Sequence, residues 1–300
     1  FVMKKLTLLM AMFCLTVVGV TAQNNNANST IEGNVTQVDI VQTGGDNDVL
    51  SNANGDDSNI GFRQEGVANN AASTFIGNNI GSTTRQTLGD RNAVTQTLTG
   101  DNIQSALLHT GSDNVTNQNI AGNDNVTEIL LTGNANTVIQ SQTGLANNAI
   151  LISTGDNNRI TSDQTGDNQA ILGEQLGNNN TAILGQSSSV NFIDAIQEGN
   201  GNTATIFQTG ANNVAGDGGN RTTQRGDDNQ LSIVQNGDQN GAFGSQIGNT
   251  NATSLNQNGK ALGGRVAVRM NAGFVSGASS LMNSDSKVNK SVFSGKAVAE

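Results

Sequence analysis

The chain has 300 residues and a formal net charge of −10; hydrophobic residues make up only 34%, aromatics 3%, and Trp, Tyr and Pro are absent. That composition excludes an ordinary two-domain globular protein, whose core needs more apolar volume. The acidic balance disfavours nucleic acid as a partner. The absence of proline is what a chain needs if nearly every backbone N–H is to join a ladder.

In chain order, residues 1–22 read as a secretory signal peptide. Phe1 and Val2 precede a Met3 initiator, Lys4 and Lys5 form the basic start, Leu6 to Val20 is nearly all apolar, and Val20-Thr21-Ala22 precedes a cut at Gln23. The apolar run is short for a membrane span, and no later segment could cross one. Cys14, the sole cysteine, lies inside it, so the exported protein is expected to carry no disulfide. Residues 23–30, rich in Asn, lie outside the period described next.

From Gly33 a glycine recurs every 11 residues: Gly33, Gly44, Gly55, Gly66 and Gly77, then after one extra residue Gly89, Gly100, Gly111, Gly122, Gly133, Gly144, Gly155, Gly166 and Gly177. Ser188 takes one slot, Gly199 and Gly210 follow, and after a five-residue insertion near Asn220, read as a surface bulge between rungs, come Gly226, Gly237, Gly248 and Gly259. Such a period marks a repeat architecture, in which each unit buries its inner face only against its neighbours. With glycine as zero, Asn occupies +3 at Asn47, Asn69, Asn92, Asn114, Asn125, Asn136, Asn147, Asn158, Asn180, Asn191, Asn202, Asn213, Asn229, Asn240 and Asn251. Gln occupies −2 at Gln42, Gln64, Gln142, Gln164, Gln175, Gln186, Gln197, Gln208, Gln224, Gln235, Gln246 and Gln257. Small or branched apolar residues favour +5. Position +7 mixes Leu and Ile with Gln96, Gln118 and Gln140.

Positions +3, +5, +7 and +9 share one face of an extended strand, because side chains alternate. Eleven is odd, so continuous alternation would turn each unit inside out. A four-residue turn around each glycine resets the phase and leaves a seven-residue strand, roughly 23 Å long, that begins and ends facing inward. Glycine reaches positive φ without steric cost, and Asp or Asn beside it tolerates the same geometry. A right-handed helical coil also has an 11-residue period, but a glycine in every unit costs a helix about 1 kcal/mol each. The predicted fold is therefore all-β: a cross-β solenoid of about ten 22-residue strand-turn-strand rungs, some 4.8 Å apart, forming a column roughly 50 Å long. Asn is expected to stack over Asn and Gln over Gln, each amide bonding to its copies above and below.

At this point the residues resemble the curlin repeat, the unit of bacterial curli fibres, whose pattern is Gln-x-Gly-x-x-Asn-x-Ala-x-x-x-Gln. The pattern is whole at Gln175, Gly177, Asn180, Ala182 and Gln186; at Gln197, Gly199, Asn202, Ala204 and Gln208; and at Gln235, Gly237, Asn240, Ala242 and Gln246. Partial copies fill residues 31–262. The chain departs from the family in placing Gln169, Asn191 and Asn229 where Ser is common, in keeping glycine at both turns, in lacking Tyr and in its greater number of rungs. The resemblance implies secretion as an unfolded chain through a dedicated outer-membrane pore, with residues 23–30 as the export address. It also implies self-assembly with related curlin-like subunits into extracellular amyloid fibres of biofilm matrix and adhesion, as major or as nucleating subunit.

Three rivals were weighed. A monomeric, capped β-solenoid that binds ice or another surface would present a regular outward Thr array, and the outward residues are irregular. A calcium-binding reading rests on Asp46, Asp90, Asp101, Asp113, Asp156, Asp167, Asp227 and Asp238, but turn propensity accounts for acids at these places. An enzyme would need more than His109, the sole histidine, which stands in a Gln slot; no catalytic group, metal or cofactor is expected. Outward apolar residues (Ile150, Ile152, Phe192, Ile196, Phe207, Phe243) offer lateral glue. The basic stretch 263–300 breaks the period, with short strands expected at Arg265 to Arg269 and Lys290 to Phe293, and fits an anchor or a cap.

Overall fold

The arch between strands explains why the period is written in glycine. At Gly177 the backbone has φ of +118°, and a Cβ built there would lie 2.0 Å from the Gly199 carbonyl oxygen of the next rung. Only glycine meets both conditions. Two residues on, the arch turns left-handed again, with φ between 56° and 58° at Asn157, Asn179, Asn212 and Asp228. Asn and Asp accept this conformation readily, but the position also holds Val190 (φ 56°) and Thr250 (φ 60°). A left-handed L-residue costs roughly 1–2 kcal/mol, and Val190 is half exposed, with little packing to lose. Val190→Asn is therefore expected to stabilise the protein by about 1 kcal/mol, read as a higher denaturation midpoint.

The computed structural model describes residues 14–20, 24–33, 36–55, 59–87, 89–216, 221–269, 278–283 and 289–294. Every regular element among them is a β-strand, and the fold is a parallel β-solenoid of about ten 22-residue rungs. The chain divides into two compact units, residues 1–147 and 148–300. Each unit has a first-limb and a second-limb sheet. In residues 1–147 the first-limb strands are Cys14–Val20, Thr36–Thr43, Asn59–Glu65, Gly81–Thr87, Gln104–Thr110 and Val126–Thr132. The second-limb strands are Asn26–Glu32, Asp48–Asn54, Asn70–Ile76, Ala93–Thr99, Val115–Ala121 and Thr137–Thr143. In residues 148–300 the first limbs are Asn148–Thr154, Ala170–Leu176, Phe192–Glu198, the pair Val214–Ala215 and Thr222–Arg225, Gly241–Ile247, Gly263–Arg269 and Asn289–Ser294. Its second limbs are Arg159–Thr165, Thr181–Ser187, Thr203–Thr209, Gln230–Asn236, Ala252–Asn258 and Ala278–Asn283.

Each strand pairs in register with a strand one rung on, such as Val115 with Thr137 and Asn148 with Ala170. The pairing widens by one residue across the extra position near 88, where Asn70 meets Ala93, and by five across the insertion, where Thr203 meets Gln230. Leu98 and Ile120 fill the core of the first unit; Leu151, Ile160, Leu184, Ile206 and Ile233 fill that of the second.

Four details differ from the sequence reading. Strands run one residue later than predicted and begin and end facing outward, as in Thr203–Thr209. The cause is the Asn at +3: the Asn202 N–H is taken by the Asn180 side chain (2.9 Å) rather than by a strand carbonyl, so the ladder starts one residue on. The layered geometry also begins earlier than residue 31, because Asn26–Glu32 pairs in register with Asp48–Asn54. The insertion does not lie between rungs. It interrupts a strand, and Val214–Ala215 and Thr222–Arg225 each pair with Phe192–Glu198. Finally, the 22-residue spacing holds through Gly263–Arg269, with Gly241 opposite Gly263, and widens to 25 in the strands that follow, where Thr253 meets Ala278 and Gly264 meets Asn289.

The short strands expected near the C-terminus are present, and Arg265 pairs with Lys290. Of the stretch read as a signal peptide, residues 14–20 pair with Thr36–Gln42, whereas the Lys4-Lys5 start and the Thr21-Ala22 site lie outside the described residues.

Candidate functional site

The feature that dominates the interior is an array of buried amides. A Gln side chain has two N–H donors and an acceptor oxygen, and leaving such groups unpaired inside a fold costs about 1–3 kcal/mol each. Here both donors are used. Gln197 Nε2 donates to Gln224 Oε1 of the next rung (2.8 Å) and to the Thr181 carbonyl (3.0 Å), while Gln197 Oε1 accepts from Gln175 (2.8 Å). The same pattern carries the column on from Gln224 to Gln246 (2.8 Å). In the second-limb sheet of that unit, Gln164, Gln186, Gln208, Gln235 and Gln257 form an unbroken ladder with links of 2.8–3.2 Å. In residues 1–147, Gln42 donates to Gln64 (3.0 Å) and Gln64 to Gln86 (2.8 Å). Gln142 is buried and accepts from the Thr127 hydroxyl at 3.0 Å.

Gln86 escaped the sequence reading, and so did the hydroxyl partners of the inward Gln96, Gln118 and Gln140. Gln86 belongs to the ladder, but the extra residue near 88 shifts it off the slot counted from Gly89; counting forward from Gly77 finds it. Gln96, Gln118 and Gln140 form a second, mid-strand ladder (2.8 and 2.9 Å). Their acceptors and donors are completed by facing hydroxyls: Ser82 and Thr84 donate to Gln96, Gln96 donates to Ser105, and Gln140 donates to Thr127. Ser and Thr at inward positions were the available signal.

The asparagines do something different from the side-chain stacking expected of them. Asn180 Oδ1 accepts the Asn202 backbone N–H (2.9 Å), and Asn180 Nδ2 donates to the Gly199 carbonyl (2.8 Å). Each Asn thus clips the backbone of the next rung's arch. Direct amide contacts are confined to a few pairs such as Asn251 with Asn229 (2.8 Å). The predicted asparagines fall into separate columns, one at each arch. Asn47, Asn69, Asn92, Asn114 and Asn136 run down one arch of the first unit, and Asn147 follows Asn125 at the other. In the second unit Asn180 and Asn202 share one column, and Asn213 and Asn240 share the other. The turn glycines Gly44, Gly66, Gly111, Gly144, Gly177, Gly199, Gly210 and Gly237 all have positive φ, from 102° to 125°.

No family model and no curated protein sequence matches this chain.

His109 follows Gln86 in its column, is fully buried and bonds through Nε2 to the Thr116 hydroxyl at 2.8 Å. Burial pushes its pKa down from 6.5 to about 4. The neutral ring is therefore the folded form, while the unfolded chain takes up a proton at higher pH. Stability from this residue is present above pH 6.5 and is lost as pH falls through about 4. His109→Gln, which restores the ladder amide, is expected to flatten the stability profile between pH 6.5 and 4 in denaturation titrations.

The turn acids serve the arches. Asp90, Asp101, Asp227 and Asp238 each accept a backbone N–H from the preceding rung at 2.8–3.0 Å. Rungs stacked in register would place like charges one layer apart, so the order of acids matters. Asp156 is followed by Asn178 and Asn200, and Arg91 by Asp113, with which it pairs at 2.7 Å. The hydrogen bond from Arg91 holds the Asp113 carboxyl below its usual range. Among the described residues, no group of three His, Cys, Asp or Glu side chains is placed to hold a metal ion. No helix among them is long and apolar enough to cross a membrane.

Proposed function

We propose that this chain is a secreted structural subunit of extracellular curli-like amyloid fibres, acting in biofilm matrix and adhesion rather than in catalysis. The observation that carries this reading is the repetition of one contact set from rung to rung. Strand pairing recurs from layer to layer, and Gln-to-Gln donation and the Asn clip recur through most of the stack, for example from Gln175 to Gln197 and from Asn180 to Asn202. Contacts that join one layer to the next inside a chain are equally able to join the layers of two chains, because a parallel strand edge offers unpaired N–H and C=O groups. The partners are then further copies, related curlin-like subunits and an outer-membrane pore for export.

The test is assembly of purified residues 23–300. Fibrils that seed fresh protein and diffract with a meridional spacing near 4.7–4.8 Å are expected. Protein that stays monomeric at high concentration for days would favour the capped binding module.

A further inference from the structure

The second-limb outer face carries charge at Glu32 and Asp48 in residues 1–147 and at Arg159 and Asp163 in residues 148–300, and beside these strands lie uncharged patches four strands wide. In residues 1–147 the second-limb strands Asn70–Ile76, Ala93–Thr99, Val115–Ala121 and Thr137–Thr143 present 16 outward positions, and none is charged. In residues 148–300, Thr181–Ser187, Thr203–Thr209, Gln230–Asn236 and Ala252–Asn258 present 16 more, again without a charge. At the chain's 13% content of charged residues, each set of 16 would carry about two by composition alone. The first-limb outer faces carry Arg63, Glu65, Arg85 and Glu128 in the first unit, and Glu174 and Glu198 in the second. Of the outward apolar residues singled out earlier as glue, Ile196 is covered. Arg221, next to the insertion, reaches over that first-limb face to Asp194 (2.7 Å) and Glu174 (3.0 Å), and Ile196 is only 8% exposed.

We propose that each uncharged four-strand patch of the second-limb face is a lateral docking surface for the same patch of a second copy of this chain. Two chains of net charge −10 repel wherever their charged surfaces meet, and these patches let copies approach without like charges in contact. Many of their outward side chains are short, among them Thr95, Thr97, Asn117 and Asn119 in the first unit and Thr205 and Ser232 in the second, while Ile76 and Phe207 are large and exposed. Short Thr, Ser and Asn side chains suit a close sheet-to-sheet contact at about 10 Å, of the steric-zipper kind. Four strands about 23 Å long and about 4.8 Å apart cover roughly 440 Å². One facing pair of patches therefore falls just short of the ~1,000 Å² of a stable interface. Association of single chains is accordingly weak and concentration-dependent, and it strengthens when patches are multiplied in an assembly. A neutral polysaccharide is the competing occupant, but the 32 outward positions hold a single aromatic, Phe207, on which a sugar ring could stack.

The experiment uses the full chain in a Cys14→Ser background, with single cysteines on either face. Thr97→Cys and Thr205→Cys are expected to form disulfide-linked dimers at least tenfold faster than Thr83→Cys and Glu128→Cys on the first-limb face. Thr97→Lys combined with Thr205→Lys is expected to lower the average mass at high concentration toward that of the monomer, with an unchanged circular dichroism spectrum. Equal cross-linking on both faces, or no loss of mass in the lysine variant, overturns the proposal. So does capture of the chain by suspended cellulose without cross-linking. These readouts need no fibre. Both are taken on freshly purified protein before fibrils appear, and end-to-end assembly, which the lysine variant leaves intact, is scored separately by seeded fibril growth.

Discussion

Gly177→Ala is expected to be among the most damaging single substitutions in the repeats, despite adding only a methyl group. The methyl would be forced to within 2.0 Å of the Gly199 carbonyl oxygen and 2.8 Å of its carbon, on a backbone already at φ +118°. Backbone strain and overpacking cost about 1–3 kcal/mol each, so a loss of about 2–6 kcal/mol follows. Neither cost is easily relaxed, because the obstacle is the backbone of the next rung rather than a movable side chain. Gly241→Ala is the control: nothing lies within 4 Å of its Cβ position, and the site is the first residue of a strand. It should be neutral or slightly stabilising. Equal denaturation midpoints for the two variants would refute the account of the arch.

Gln197→Glu is isosteric, yet it should destabilise the second unit by about 3–5 kcal/mol at neutral pH, the scale of an uncompensated buried charge. Glutamate loses both donated bonds. Its oxygens would face Gln224 Oε1 and the Thr181 carbonyl, which the native amide serves at 2.8 and 3.0 Å. Burial without a counter-charge raises the folded-state pKa of the new carboxyl above its unfolded value. The protonated form, which regains one donor, is then favoured, and stability should recover as pH falls and be lost as pH rises. Urea titrations at pH 7 and pH 4 would separate this from simple misfolding, which acid would not rescue.

The 11-residue period, read with the oddness of eleven, was enough to predict alternating limbs, arches and parallel stacking, because each of those follows from backbone geometry alone. Glycine is an unmistakable marker for the same reason: at Gly177 no other residue meets both the φ and the approach of the next carbonyl. The Gln columns were legible where the count of residues is unbroken, and Gln86 shows how one inserted residue hides a member. The role of the asparagines was not legible. An Asn that stacks on a side chain and one that clips an arch have the same spacing, and only the placement of the Gly199 and Asn202 backbone groups around Asn180 distinguishes them.

By itself, then, the sequence determined the period, the strand polarity and the amide content of the interior, all properties of one repeat considered alone. Tertiary structure decided what depends on how rungs meet. It set the one-residue shift of the strands and the completion of the Gln96–Gln140 ladder by facing hydroxyls. It also put the insertion across a strand and Arg221 against Asp194 and Glu174, and gathered uncharged outward residues into patches four strands wide. These are relations between residues 9 to 47 positions apart, and such contacts exist only once the limbs and layers are stacked.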